Sequence, residues 1–517
     1  MTFRPPDVIL LTDHTDTIFL NKLLGPHKVA HELRRAGYHV VVINHLHIFS
    51  FAEITHLLKT LVTQSTLYVG INSFWYKDIG NTVVANDGHV TYPVMPKGSF
   101  LPHGKDKNPI IKKIIKDINP NCKIVLGGPD ATDVEWNKDY DIVQCGYSDV
   151  GATKLANHLR DGIPLEKNYK SIYGFTVLHG DTPEEYDIST GTMHYEPHDV
   201  ILNGECLPLE ISRGCIFQCD FCAFPLNGKE KLDFIRHKDQ LRTEMIENYE
   251  KYGVTRYMFV DDTFNDSEFK VQMIHDIAKS LPFKLEFWAY SRLDLLANNP
   301  TWMDLQLNAG QRGFFFGIES FNKKSSAMVG KGTAKEKLIE ALHYLKNKGG
   351  NNISLHGSFI VGLPHETLDT ATDTFNVLMN PGFPLDSWWM YPYLLENRNL
   401  KTNGFLSKMA LNYEKYGYRA TGEYDNYLYW ENDHMDSHLA ANLVDDFRKK
   451  GEHVGRRCLQ PVACFWVSGL GFDLEYTLNV PIIDINWYEI SQQKERRANE
   501  YKQRLFSILE IPVLAKD

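Results

Sequence analysis

Three cysteines stand at C-x3-C-x2-C spacing in Arg213-Gly214-Cys215-Ile216-Phe217-Gln218-Cys219-Asp220-Phe221-Cys222, directly after the strand-like run Leu207 to Ser212. Thiolates this close on one tight loop can take three corners of an iron-sulfur cube, and a four-iron cluster needs four ligands. The set is one short, which leaves one iron open to the amino and carboxylate groups of a substrate. A zinc site completed by Cys206 or His237 is the competing reading, because zinc takes four thiolate or imidazole ligands in closed structural sites. No second cysteine knuckle follows at the usual distance, and an incomplete set suits a catalytic cluster better than structural zinc.

The elements that must position this loop alternate. Strands are predicted at Leu207 to Ser212, Arg256 to Val260, Lys284 to Tyr290, Gly313 to Ile318, Ser354 to Val361 and Ser387 to Tyr393, with helix patterns between them. Such a series makes right-handed crossovers and curls into a partial barrel whose chemistry gathers at the carboxyl ends of its strands. Those ends carry, after the cysteines, Asp261-Asp262-Thr263, Ser291-Arg292, Glu319-Ser320 and Gly362-Leu363-Pro364. Carboxylates for ammonium and hydroxyl groups, an arginine for a carboxylate and free backbone for a base suit a zwitterionic ligand with a ribose. Rim salt bridges are the structural alternative for any one of them.

Before residue 160 the same alternation occurs, with apolar runs at Asp7 to Leu11, His39 to Ile43, Leu67 to Ile71, Lys123 to Leu126 and Asp141 to Cys145. Buried strands separated by amphipathic helices predict an α/β, doubly wound parallel sheet of Rossmann type with its ligand beyond the strand ends. Thr12, Asn72-Ser73, Gly127-Gly128-Pro129 and Gly146 occupy those ends.

The cysteine spacing, with Phe221 as the aromatic before the last cysteine, resembles the radical S-adenosylmethionine (SAM) superfamily. The segments Gly127 to Thr132, Asn72-Ser73 and Asp141 to Asp149, with Gly317-Ile318-Glu319-Ser320 and Phe359 to Pro364, are similar to its cobalamin-binding subfamily over roughly residues 1 to 395. The resemblance implies three cofactors: a 4Fe-4S cluster on Cys215, Cys219 and Cys222, SAM, and cobalamin. It implies that Ser291, Arg292 and Glu319 hold the SAM amino acid and ribose, that Phe221 and Gly362 flank adenine, and that Asp261 stands where other members carry Gly-Gly-Glu. Thr12, Asn72, Ser73, Gly127, Gly128 and Gly146 would line the cobalamin tail. Thr12-Asp13-His14-Thr15 departs from the D-x-H-x-x-G pattern that supplies histidine to cobalt, which questions axial ligation more than binding.

The implied organisation is a cobalamin-binding domain at 1–160, a linker at 161–206 with one hairpin (Tyr173 to Val177 against Met193 to Glu196), a partial (β/α)6 radical SAM barrel at 207–395, and a mainly helical C-terminal region at 396–517. The last region offers no motif. Its aromatics read mostly as core, with the loop-like Gly422 to Asp433 as a candidate substrate wall, and Cys458 and Cys464 read as buried thiols.

The chain has 517 residues, 43% hydrophobic and 23% charged, an ordinary globular balance for two to four domains. Its 55 basic and 65 acidic residues give a net charge of −10, which disfavours a nucleic-acid partner. Eight cysteines in so long a chain are no disulfide framework. Neither a secretory signal nor an apolar run of membrane-span length is visible, so reducing cytoplasm is expected. The implied function is methylation of an unactivated carbon of a small-molecule, lipid or peptide substrate through a 5′-deoxyadenosyl radical and methylcobalamin, with flavodoxin or ferredoxin as electron donor. A non-methylating cyclisation, ring contraction or oxidation, and a non-catalytic cobalamin or iron-sulfur sensor, are the alternatives.

Overall fold

Short β-branched and aliphatic runs bounded by polar turns form the strands, and the amphipathic runs between them form the helices that cover them. The computed structural model describes residues 4–13, 19–72, 109–128, 131–224, 226–399, 406–424, 427–452, 460–481 and 484–512. Ser73 and His14, and with them Pro129, Asp130 and Cys458, lie outside the described residues.

The first sheet contains β1 (Val8–Leu11), β2 (Val40–Ile43), β3 (Tyr68–Asn72), β4 (Lys123–Gly127), β5 (Ile142–Gln144), β6 (Asn168–Lys170) and β7 (Thr176–Leu178). Its order is β2-β1-β3-β4-β5-β7-β6, parallel throughout except for β6. The chain winds one way from β1 to β2 and the other way from β3 onward, so a crevice is left beyond the carboxyl ends of β1 and β3. The α/β, doubly wound expectation is met.

The stretch expected as a linker differs. β6 pairs antiparallel with β7, Asn168 opposite Leu178, and β7 lies parallel beside β5. The first sheet therefore runs past residue 160, and Tyr173 to Val177 pairs elsewhere than with Met193 to Glu196. Strands of three residues carry too little alternation to be read from periodicity, and burial of Val177 in the first core decides their place.

The second sheet is β8 (Cys206–Leu209), β9 (Arg256–Phe259), β10 (Glu286–Ser291), β11 (Gln311–Glu319), β12 (Ser354–Val361) and β13 (Ser387–Pro392). These six strands lie in sequential order and every pair is parallel. Residues on the outward face, such as Phe316, Phe359 and Met390, are buried among the leucines and alanines of the surrounding helices. This is the predicted partial barrel.

The C-terminal region is mainly helical, as expected, with helices Ser437–Glu452, Pro461–Gly469, Leu474–Asn479 and Trp487–Ile508. It also has a three-stranded antiparallel sheet, ordered β14 (Leu395–Glu396), β16 (Tyr427–Glu431), β15 (Arg419–Tyr424). Most of the segment read as a loop from Gly422 to Asp433 is thus a hairpin, in keeping with the strand preference of its tyrosines and tryptophan. Tyr418 and Trp430 are buried core residues.

The last long helix joins the two α/β units. Ala498 packs with the barrel-base cluster, while Tyr501, Leu505 and Phe506 enter the core of the first sheet. Asn44 N donates to the Tyr501 hydroxyl at 3.1 Å, and Arg497 donates to the carbonyl of Asn203 at 2.7 Å. None of the described helices is long and apolar enough to cross a membrane.

Candidate functional site

The cysteine loop follows β8 and is held from three sides. From its own chain, Gly228 N and Lys229 N donate to the Cys215 carbonyl, and Cys222 N donates to that of Cys219 at 3.0 Å. From the barrel, the Cys215 thiol donates to Thr263 Oγ1 at 3.3 Å. From the C-terminal region, Met409 N donates to the Asp220 carbonyl and the Tyr416 hydroxyl to Asp220 Oδ2, both at 2.8 Å, while Lys408 Nζ donates to Gln218 Oε1. This third set of contacts has no sequence signature, because it pairs residues nearly 200 positions apart.

All three thiols are free. Burial pushes Cys215 and Cys222 above the ordinary thiol range, so neither ionises readily without a cation beside it. Coordination to iron supplies that charge, and the set fits three corners of a cluster. Among the described residues no three His, Cys, Asp or Glu side chains stand at the spacing of a single metal ion. Cys206, the proposed completion of a zinc site, begins β8 at its far end and is buried with Met258, Trp288 and Cys464. His237 precedes helix Lys238–Tyr252 and donates its backbone N–H to the Ser189 carbonyl.

Arg292, at the end of β10, lies over the Phe217 ring with its guanidinium carbon 3.8 Å from the centroid, and Nη1 reaches Cys219 Sγ at 3.5 Å. Asp294 grips it through Nε and Nη2, and Asn265 brackets its backbone N–H and carbonyl. A guanidinium so fixed against the cysteine loop is placed to receive a carboxylate bound there. Ser291 is buried beside it.

Asp261 does not offer the expected carboxylate. Its Oδ1 accepts from Ile211 N, its Oδ2 from Ser212 Oγ, and Lys270 Nζ stands 3.0 Å from Oδ2, so it ties β8 to β9. The next residue is the open one. Asp262 is half-buried, and burial first, then the Asp261 charge, raise its carboxyl to about 7. Pattern reading chose Asp261 of the adjacent pair, because nothing in the local sequence shows which of the two is tied up between β8 and β9.

Glu319 ends β11 in left-handed backbone at φ 69°, where the register with β12 shifts. Its carboxylate pairs with Lys331 Nζ at 3.0 Å, and a Cβ on Gly317 would stand 2.4 Å from its Oε1. Such backbone costs roughly 1–3 kcal/mol and is held by its surroundings. Phe221 is half-buried against the barrel core.

Gly362 does not present bare backbone. Its N–H donates to Glu366 Oε2 at 2.7 Å, its carbonyl accepts from Tyr418 at 2.6 Å, and a Cβ there would lie 2.6 Å from the Trp430 ring. The glycine admits a tryptophan of the C-terminal region.

At the first sheet, Thr12 is 2% exposed at the end of β1, and its buried Oγ1 has no described partner. Asn72 closes β3 across the switch crevice, and a Cβ on Gly127 at the end of β4 would meet nothing within 4 Å. Gly128 follows at φ 106°. An orphaned hydroxyl and an open glycine edge at this crevice fit a bound nucleotide-like tail. Gly146 is different: a Cβ there would stand 3.4 Å from Gly180 Cα, so its bareness serves the packing of the chain after β5 on the chain after β7.

Residues 209–378 match the radical SAM superfamily. This part of the chain is a radical SAM domain. The chain is 25% identical over 280 residues to an uncharacterised methyltransferase of Pyrococcus horikoshii, covering 51% of this chain and 59% of that one. It is 24% identical over 309 residues to the anaerobic magnesium-protoporphyrin IX monomethyl ester cyclase of Cereibacter sphaeroides, covering 54% and 48%. The chain thus spans only 59% and 48% of the lengths of these curated relatives. The fold is that of the radical SAM methyltransferase TsrM of Kitasatospora setae, solved with tryptophan substrate and the SAM analog aza-SAM. The two agree with a TM-score of 0.64 at 13% identity over 96% of this chain and 100% of that one.

Proposed function

We propose that this chain is a cobalamin-dependent radical SAM enzyme that methylates an unactivated carbon. The carrying observation is the placement of Cys215, Cys219 and Cys222 on one loop at the mouth of the barrel, with the Arg292 guanidinium against Cys219 and the first sheet's edge joined to the loop base. In this reading residues 1–160 are the cobalamin-binding domain, 207–395 the radical SAM core and 396–517 a cap, and the connection 161–206 also contributes to the first sheet. When bound, a reduced 4Fe-4S cluster supplies the electron that cleaves SAM, and methylcobalamin supplies the methyl group.

The protein's own residues bind and orient. Cys215, Cys219 and Cys222 hold three irons, Arg292 takes the SAM carboxylate, and Asp262 rather than Asp261 takes its ammonium. Glu319, steadied by Lys331, accepts from the ribose hydroxyls. Thr12, Asn72, Ser73, Gly127 and Gly128 line the corrinoid tail. Phe221 covers one face of the adenine, and Ser291 supports Arg292 from behind. The reading includes a flavodoxin- or ferredoxin-like electron donor, a reducing cytoplasmic setting and no nucleic-acid partner.

Anaerobic reconstitution with iron, sulfide and hydroxocobalamin tests it. The expected result is a cluster signal, one corrinoid per chain, and S-adenosylhomocysteine with 5′-deoxyadenosine when substrate gains a methyl group. Protein that takes up neither iron nor corrinoid overturns the reading. Similarity to the cyclase supports a second reading, a radical cyclisation; 5′-deoxyadenosine without S-adenosylhomocysteine would favour it.

A further inference from the structure

A residue on an interior strand of a six-stranded sheet is normally covered on both faces, yet Tyr290 of β10 is 40% exposed, and on the edge strand β13 Tyr391 is 45% exposed. Their neighbours on the inward face, Phe315, Ser358, Ile360 and Trp389, are half-buried, while outward residues between them are buried. Register puts these residues side by side: Tyr290 is opposite Phe315, Ser358 opposite Trp389, and Ile360 opposite Tyr391. Ring centroids of Tyr290 and Phe315 are 4.8 Å apart in an edge arrangement, and those of Trp389 and Tyr391 are 5.8 Å apart. Tyr290 and Tyr391 on the inward face thus line a hollow rather than packed core.

The hollow has a floor. Helix Pro461–Gly469 fills the lower part of the barrel: Phe465 is buried with Met258 and Trp288, Trp466 Nε1 donates to Met258 Sδ, and a Cβ on Gly313 would stand 2.6 Å from Pro461 Cβ. Above that floor two or three inward rows remain, a depth on the order of 7–13 Å at ~3.3 Å per residue. The wall is ring faces and edges with hydroxyls and an indole N–H; of the charged groups at the mouth, Arg292 and Glu319 are paired with Asp294 and Lys331, and the open Asp262 is the one assigned above to the SAM ammonium.

From this we infer that the upper barrel is a substrate chamber for a neutral, planar aromatic molecule, with helix Pro461–Gly469 setting its depth. Edge-to-face contact with Tyr290 and Trp389 favours a ring over an aliphatic chain of equal area, and the pairing of Arg292 and Lys331, among the described residues, with Asp294 and Glu319 disfavours an anionic head group. That the chamber is where reaction occurs rests on the radical SAM reading; the ring preference does not.

The test is equilibrium dialysis of full-length protein, purified anaerobically, with indole, naphthalene, cyclohexanol and octanoate. Indole and naphthalene are expected to bind at least tenfold more tightly than cyclohexanol and octanoate, with Tyr290→Phe retaining and Tyr290→Leu losing most of that difference. Equal binding of the aliphatic probes, or a folded Tyr290→Leu protein that keeps the full ring preference, overturns the chamber. Should Tyr290→Leu fail to fold, Trp389→Leu makes the same comparison. Iron content, corrinoid content and SAM cleavage on the same preparations separate the two proposals. Ring-selective binding without cluster or SAM cleavage leaves the chamber and removes the enzyme reading, whereas a competent cluster without ring selectivity does the reverse.

Discussion

Arg213 donates to both carboxylate oxygens of Asp149, at 2.7 and 2.9 Å, across the boundary between the two α/β units. Asp149 precedes the helix Gly151–Asp161 of the first, and Arg213 stands two residues before Cys215 in the second. Glu210 accepts from the same guanidinium and pairs with Lys28, and the rings of Tyr147 and Tyr186 lie 4.4 and 5.0 Å from it. The cysteine loop is thereby registered against the first sheet through a buried, bidentate contact that lysine cannot reproduce.

Removing the guanidinium leaves the buried carboxylates of Asp149 and Glu210 to share Lys28 alone. Arg213→Met is expected to lower stability by about 3–5 kcal/mol. Urea denaturation measures the loss, and limited proteolysis should show cleavage between the two units before global unfolding. Wild-type stability in this variant would show that the contact contributes nothing.

Cys219→Ala should reduce iron after anaerobic reconstitution to background while the far-ultraviolet circular dichroism stays unchanged, since the loop is held through Asp220 and Gln218 by other residues. Retention of full iron content and a cluster spectrum would remove Cys219 from the ligand set.

Tyr416→Phe deletes one hydrogen bond, that to Asp220, and should cost roughly 1 kcal/mol. The more telling readout is the half-life of the cluster absorbance on exposure to air. A loosened loop shortens it severalfold, and an unchanged half-life would assign Tyr416 to packing alone.

Burial raises the Glu366 carboxyl to about 7. The folded protein therefore binds a proton that the unfolded chain releases near 4.5. Stability from this group is complete below the unfolded value and is lost as pH rises toward and through 7, by at most about 3 kcal/mol. Glu366→Gln keeps an acceptor for Gly362 N and should flatten the stability profile between pH 5 and 8. A variant profile parallel to the wild type's would contradict this. Glu396, also raised to about 7 by burial, contributes in the same direction.

Pattern reading reached the architecture where elements were long or repeated. The barrel strands and the first sheet's parallel strands were legible, short as most of them are, because apolar runs alternate with helix patterns again and again along the chain. It failed at β6 and β7, whose three residues each fit several conformations, and at the hairpin of β15 and β16, whose aromatics read equally well as a loop wall. It also could not see that Gly146 and Gly362 face Gly180 and Trp430, since a glycine in a sequence states only that a side chain is missing.

The sequence alone determined the three-cysteine loop, its place after the first barrel strand and the set of polar residues at the strand ends, because local spacing along a chain is a covalent fact. Which of two adjacent aspartates stays open, what fills the floor of the barrel, and which residues clamp the cysteine loop were decided only on folding. Those depend on strand face and on contacts between segments up to two or three hundred residues apart, and no local pattern encodes a partner that distant.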